Sequence, residues 1–478
     1  MSLSLPRMQA IALNRFGLGA RPNETLSGDP KGWLLGQLAR FDAKPAAYAG
    51  LSVPGARVRA ILAQDHPPAA GTSDAIPLQT DLVSILRAKR PDQQQAMAQE
   101  AHDGYAAAIN ARVAIALDTE APFVERLAAF WSNHFALSIE KPQVGIFAAA
   151  YEIDAIRPHV LGRFEDMLMA VEHHPAMLFY LDQYGSVGPG SWFSQQVVRT
   201  QPGMDVGLNE NLAREIMELH TLGARSGYSQ ADVTEFARAL TGWTVSGMGY
   251  RPASDEPTTG SFVFRDVIHS PGNRTIMGKV YPAGGEQQAK SVLHDLANAP
   301  ATARHISTKL ARHFVADNPP PAMIERMSKA FLESQGDLPA VYRVMIEAPE
   351  AWAATATKFK TPWDWVVSML RGLGRREVPG LDFQSMLTLL GQSIWQPGSP
   401  AGFDDISASW AAPEALVVRV QLAEHFASQA ARLLDARTLA PKLMPGMVSP
   451  TTAAAIAQAE SGASALTLML VSPEFQRR

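Results

Sequence analysis

Apolar residues recur at helical intervals along most of the chain. In APFVERLAAFWSNHFAL, Phe123, Leu127, Phe130 and His134 stand at i, i+4, i+7 and i+11 and share one helix face. PDQQQAMAQEAHDGYAAAINARVAIAL, QVGIFAAAYEIDAI, RFEDMLMAVEHHPAMLFYL and NENLAREIMELHTLG read the same way. The first opens on Pro91, which suits a first helical position, and the last closes on Gly223, which suits a left-handed stop. SQADVTEFARALTGW opens on Ser229-x-x-Asp232, close to a capping box. Further helices are predicted at GEQQAKSVLHDLA, ATARHISTKLARHFVA, PAMIERMSKAFLES, LPAVYRVMIEAPEAW, PWDWVVSMLRGLG, PEALVVRVQLAEHFASQAARLL and ASALTLMLVSP.

Strand signals are few. SFVFRDVIH and RTIMGKVYP carry β-branched and aromatic residues around Pro271-Gly272-Asn273 and predict one small hairpin over about 260–282. Loops are expected at 41–78, 183–207, 244–260 and 395–413, where Gly, Pro and Ser concentrate. No fixed-period repeat marks a solenoid. The expected fold is mainly α: one large multi-helix domain over 1–478 with a small β-hairpin insertion.

Composition narrows the function. A hydrophobic fraction of 46 % and a charged fraction of 18 % are ordinary for a globular chain. With 42 basic against 46 acidic side chains the net charge is −4, so no positive field points to nucleic acid. The absence of cysteine removes disulfides, thiolate metal sites and a thiol nucleophile. No run approaches the ~18 apolar residues of a membrane span. The N-terminus shows no signal-peptide pattern, so the expected location is periplasmic or extracellular only if a leader was removed, and otherwise cytoplasmic.

Candidate chemistry concentrates in Asn209–Gly223. On a helix Asn211, Glu215 and Glu218 share a face, and Arg214 can pair with Glu218 at i+4. His220, five residues past Glu215, points roughly 140° away on a regular helix and joins the face only if the helix end unwinds. Two carboxylates with different neighbours can divide acid and base roles. The same stripe also reads as a solvated salt-bridge face with a histidine near its C-terminus. The second candidate is Arg126 with Asn133 and His134 among Phe130, Trp131 and Phe135. A histidine there can shuttle a proton, or can be a core ring bonded to a carbonyl. Trp243 follows a helix end, and Pro362-Trp363-Asp364-Trp365 sets two indoles beside a carboxylate, as sugar-stacking surfaces and filled cores both do. Nucleotide-binding loops, HExxH and G-x-S-x-G are missing.

ALNRFGLGARP, LAAFWSNHFALS, RPHVLGRFEDMLMAVEHHPAMLFYLD, NENLAREIMELHTLG, YSQADVTEFARALTGWT, VIHSPGNRTIMGK and LVSPEFQRR occur in that order from about residue 12 to 478. This order resembles the bacterial domain of unknown function 1800 family. The resemblance implies a mainly helical fold and weight on the 209–220 cluster and His134, and it supplies no reaction. Members of that family often carry export signals and are frequently encoded beside a phosphatase- or sulfatase-like exported protein. The chain departs in lacking a visible leader and in having Ser270, where relatives carry an acidic residue after His269.

Three readings follow. The first is a hydrolase or lyase, of glycoside hydrolase or polysaccharide lyase type, acting on a polysaccharide or small polar substrate. Glu215 or Glu218 is its acid or base, His134 or His220 its proton shuttle, and Asn133, Asn211, Arg214, Trp243 and Arg126 its substrate contacts. The second is a non-catalytic helical scaffold or assembly factor for an exported partner protein. The third is a metal-binding protein using His134, His220 and His269 with carboxylate partners. The cofactor is left open.

Overall fold

Proline and short polar caps set where the helices begin. The computed structural model describes residues 3–24, 26, 28–49, 51, 91–200, 206–246, 260–378 and 380–478. Eight helices position the regions of interest. They are α1 (Pro91–Asp118), α2 (Pro122–His134), α3 (Phe164–Glu172), α4 (Asn211–Glu215), α5 (Gln230–Leu240), α6 (Pro300–Phe314), α7 (Pro362–Gly372) and α8 (Gly380–Leu389). Proline at a first turn lacks an N–H that would have had no helical partner anyway, and its fixed φ suits the helix. The expected capping box opens α5, with Ser229 and Asp232 each bonding the other's backbone. The segment expected to stop at Gly223 ends earlier, at His220, and Gly223 lies three residues beyond at φ 90°, where a Cβ would be strained.

The predicted apolar face of α2 is the buried one: Phe123, Leu127, Phe130 and His134 are all 4 % exposed or less. Each large apolar side chain so buried stabilises the fold by roughly 1.5–3 kcal/mol. The buried hydrophobic cluster is continuous from Ile11 to Phe475. Two of its indoles are satisfied within it: Trp131 Nε1 donates to the Tyr342 hydroxyl, which donates to Val160 O, and Trp365 Nε1 donates to Leu470 O. Both α7 and α8 pack on α1.

The β structure differs from the single hairpin expected over 260–282. Strand β1 (Trp243–Val245) pairs antiparallel with β2 (Phe262–Phe264), and β3 (Arg274–Ile276) pairs with β4 (Lys279–Tyr281). The hairpin is thus RTIMGKVY folded on itself, and SFVF pairs backwards in sequence. Its turn is Met277-Gly278, at φ 49° and 79°, rather than Pro271-Gly272-Asn273. Two consecutive positive-φ residues match the twist of paired strands. Of the expected loops, 52–78 and 247–259 lie outside the described residues, while 183–207 contains a helix, Trp192–Thr200. Among the described residues no helix is long and apolar enough to cross a membrane.

Candidate active cleft

The residues singled out in the sequence fall into three surroundings. The first is the polar helix α4. Its carboxyl end loosens into a π-helical turn, Ile216–His220, closed by Thr221 N–H on Ile216 O. A π turn brings residue i+5 over residue i, which carries His220 round toward Glu215. The extra residue also removes the expected Arg214–Glu218 pair. Arg214 bonds Glu210 at 3.3 Å instead, and Glu218 accepts from the Tyr228 hydroxyl at 3.3 Å. Burial raises the Glu215 carboxyl, with Glu218 and Glu172 adding and His220 and Arg214 opposing. Asn211 is exposed at the helix start.

The second is a sealed network. His220 Nδ1 donates to Glu172 Oε1 at 2.8 Å, with both side chains 1 % exposed or less. His134 Nε2 donates to His220 O, and His305 Nε2 donates to Leu219 O, each at 3.1 Å. Imidazoles from α2 and α6 thus cap the carbonyls that the end of the π turn leaves without helical partners. His134 and His220 lie in the core. Trp243 is also buried, its ring 4.3 Å from that of His173 and 5.4 Å from that of Phe262. His269 bonds Thr241 O at 2.7 Å. Among the described residues no group of three or more His, Asp or Glu side chains could hold a metal ion.

Burial holds several of these rings neutral. It lowers His134 well below the ordinary histidine range, His305 and His173 to about 4, and His174 to about 3. Below pH about 6.5 the unfolded chain binds protons that these rings refuse. Stability is therefore greatest above that pH and is lost as pH falls from 6.5 toward 4. Glu125 and Glu215, raised by burial, act in the opposite sense but are fewer. Denaturant unfolding is expected to show lower stability at pH 5 than at pH 7. Equal stability at the two values contradicts the neutral assignment.

The third surrounding is an open cleft enclosing about 750 Å³, its mouth included. Its walls are Arg112 of α1, Arg126 and Asn133 of α2, His313 of α6, Trp363 and Asp364 of α7, and the loop carrying Trp395 and Phe403–Asp405. Arg126 and His134 are eight residues apart and so rotated by roughly 80°, which sends one to the cleft and the other to the core. Arg126 is buried and saturated. It donates to Asp364 at 2.9 Å and to the carbonyls of Arg15 and Gly17 at 2.9 and 3.1 Å. Its Nε donates to His313 Nε2 at 3.3 Å. Because that nitrogen accepts, Nδ1 of His313 carries the proton and donates it to Asp405 at 2.9 Å. Burial alone raises the Asp405 carboxyl, but His313 and Lys358 outweigh it and hold Asp405 below the usual carboxylate range. The Arg112 guanidinium lies 4.7 Å from the Trp363 ring and 5.5 Å from the Trp395 ring. It therefore covers the indole surfaces that a sugar ring would stack on. Trp395 has φ 50°, a left-handed conformation costly for a bulky side chain, and its buried Nε1 has no hydrogen-bond partner.

Of the nine site residues named from sequence, the cleft takes Arg126 and Asn133. The sequence reading missed His313, Asp405, Arg112 and Trp395. His313 stands eight residues after His305 on the same helix and is rotated from it by roughly 80°, so no shared face with a singled-out residue marked it. The fold and cleft define a mainly helical protein with an imidazole–carboxylate pair on the wall of an open, largely apolar hollow. The chain belongs to the family described as "Protein of unknown function (DUF1800)", which matches residues 11–477. No curated protein and no solved structure matches it.

Proposed function

We propose that the protein is an enzyme of hydrolase or lyase type working in this cleft. Its substrate is a small polar molecule or the terminal unit of a carbohydrate. One observation carries the reading: the His313–Asp405 pair lies on the wall of an open cleft, whereas the imidazoles of the polar helix region are sealed. A neutral imidazole whose Nδ1–H is held by a carboxylate can take a proton at Nε2, and the carboxylate then steadies the imidazolium. In hydrolysis that proton comes from water, and in elimination from a carbon beside a carbonyl or carboxyl group. At rest Nε2 accepts from the Arg126 Nε–H, which keeps the ring in the tautomer that can take a proton, and that contact is lost when the proton arrives. Asp404, exposed at the rim, accepts from the Ser409 hydroxyl through Oδ2 at 2.8 Å and offers Oδ1 to the substrate's polar groups. The Arg112 cover on the indoles favours polar over stacking recognition.

The test is turnover of a panel of small esters, uronates and short oligosaccharides. His313→Gln and Asp405→Asn are expected to lower turnover by about 10²–10⁴-fold, while Glu215→Gln and Glu218→Gln leave it within severalfold. Loss in the Glu215 variant with full turnover in the folded His313 variant moves the site to α4. The scaffold reading has one observation in its favour: Glu172, His220 and His134 lock three helices together without facing solvent.

A further inference from the structure

Asn133 was expected to bind substrate, but its amide is already engaged. Its Nδ2 donates to Phe403 O at 2.9 Å, and Phe403 N–H donates to its Oδ1 at 2.8 Å. An amide that satisfies both backbone groups of one residue holds that residue as a neighbouring strand would. The contact is tight on the loop side as well. Gly402 has φ 80°, and a Cβ there would sit 2.3 Å from Asn133 O and 2.8 Å from its Oδ1. Only glycine lets the loop approach α2 this closely.

Two residues later comes Asp405, the partner of His313. Beyond it the loop is held a second time. Lys358 donates to Asp405 O and, at 2.8 Å, to Asp317 Oδ1, while Ser407 N–H donates to Asp317 Oδ2 at 3.0 Å. The segment between these clamps has no regular secondary structure. The direction of the Asp405 carboxylate therefore depends on them.

We infer that Asn133 and Gly402 form a positioning clamp that aims Asp405 at His313 Nδ1, so that Asn133 acts through the acid–base pair and does not itself touch substrate. This rests on the reading of His313 and Asp405 given above. Displacing a reacting group by about 1 Å is enough to cost on the order of 10²-fold in rate.

The experiment follows the Nδ1 proton of His313 by NMR in the full-length protein labelled with 15N-histidine. The signal is assigned by its loss in His313→Gln. In Asn133→Ala and in Gly402→Ala that proton is expected to exchange with water at least tenfold faster, with turnover down about 10–100-fold. Asn133→Asp keeps the acceptor for Phe403 N–H and is expected to retain part of both; it carries the test if the glycine variant fails to fold. An unchanged His313 signal in folded Asn133→Ala overturns the clamp. A changed signal with unchanged turnover upholds the clamp and overturns the catalytic role of His313 instead.

Discussion

Replacing Asp364 with alanine is expected to destabilise the protein by about 3–5 kcal/mol, the cost of leaving buried charges without their partner. Asp364 Oδ2 lies 2.9 Å from Arg126 and 3.1 Å from Arg478, and both arginines are 2 % exposed. Among the described residues it is the only carboxylate paired with either. The surroundings make the loss worse. Lys360 and Arg419 are buried nearby, and burial lowers them to about 7 and about 9. A neutral or weakly basic Lys360 is what a region holding several cations and one anion favours. Asp364→Asn keeps a hydrogen-bond acceptor and is expected to fall between alanine and wild type. Guanidinium unfolding of the three proteins checks this order. An alanine variant within about 1 kcal/mol of wild type would show that the arginines are satisfied by carbonyls alone.

The second large effect lies in the sealed network. Glu172→Ala removes the acceptor of His220 Nδ1–H inside a site closed to water. The orphaned donor and the cavity together are expected to cost about 3 kcal/mol. Glu215→Gln and Glu218→Gln, on half-buried positions of α4 and the π turn, are expected to cost less than about 1 kcal/mol. The contrast separates two uses of acidic side chains in adjacent elements. If Glu215→Gln is the more damaging change, the exposed stripe rather than the buried pair fixes the helix register.

What the sequence revealed and what it concealed follow from the range of each signal. The buried face of α2 and the capping box of α5 are local, because helix periodicity and capping act over a few residues. The sequence also showed that Trp363 and Asp364 stand together, though not that Arg112 would cover the indole. The cleft itself joins residue 112 to residue 405, across α1, α2, α6, α7 and a loop. No spacing rule links such positions. The 209–220 cluster drew attention because its polar residues are contiguous, yet the fold turns part of it inward to cap carbonyls and leaves the rest on the surface. The π turn decided that outcome, and one added residue in a helical turn leaves no mark in residue types. The same turn explains why Arg214 meets Glu210 and not Glu218.

The most direct measurement is a crystal structure of the His313→Gln protein soaked with whichever panel compound the wild type turns over. The account predicts that compound between Arg112, Trp395 and Asp405, with its reacting group within about 3.5 Å of the substituted side chain. A ligand seated on Glu215 and Glu218, with the cleft containing only solvent, would contradict it.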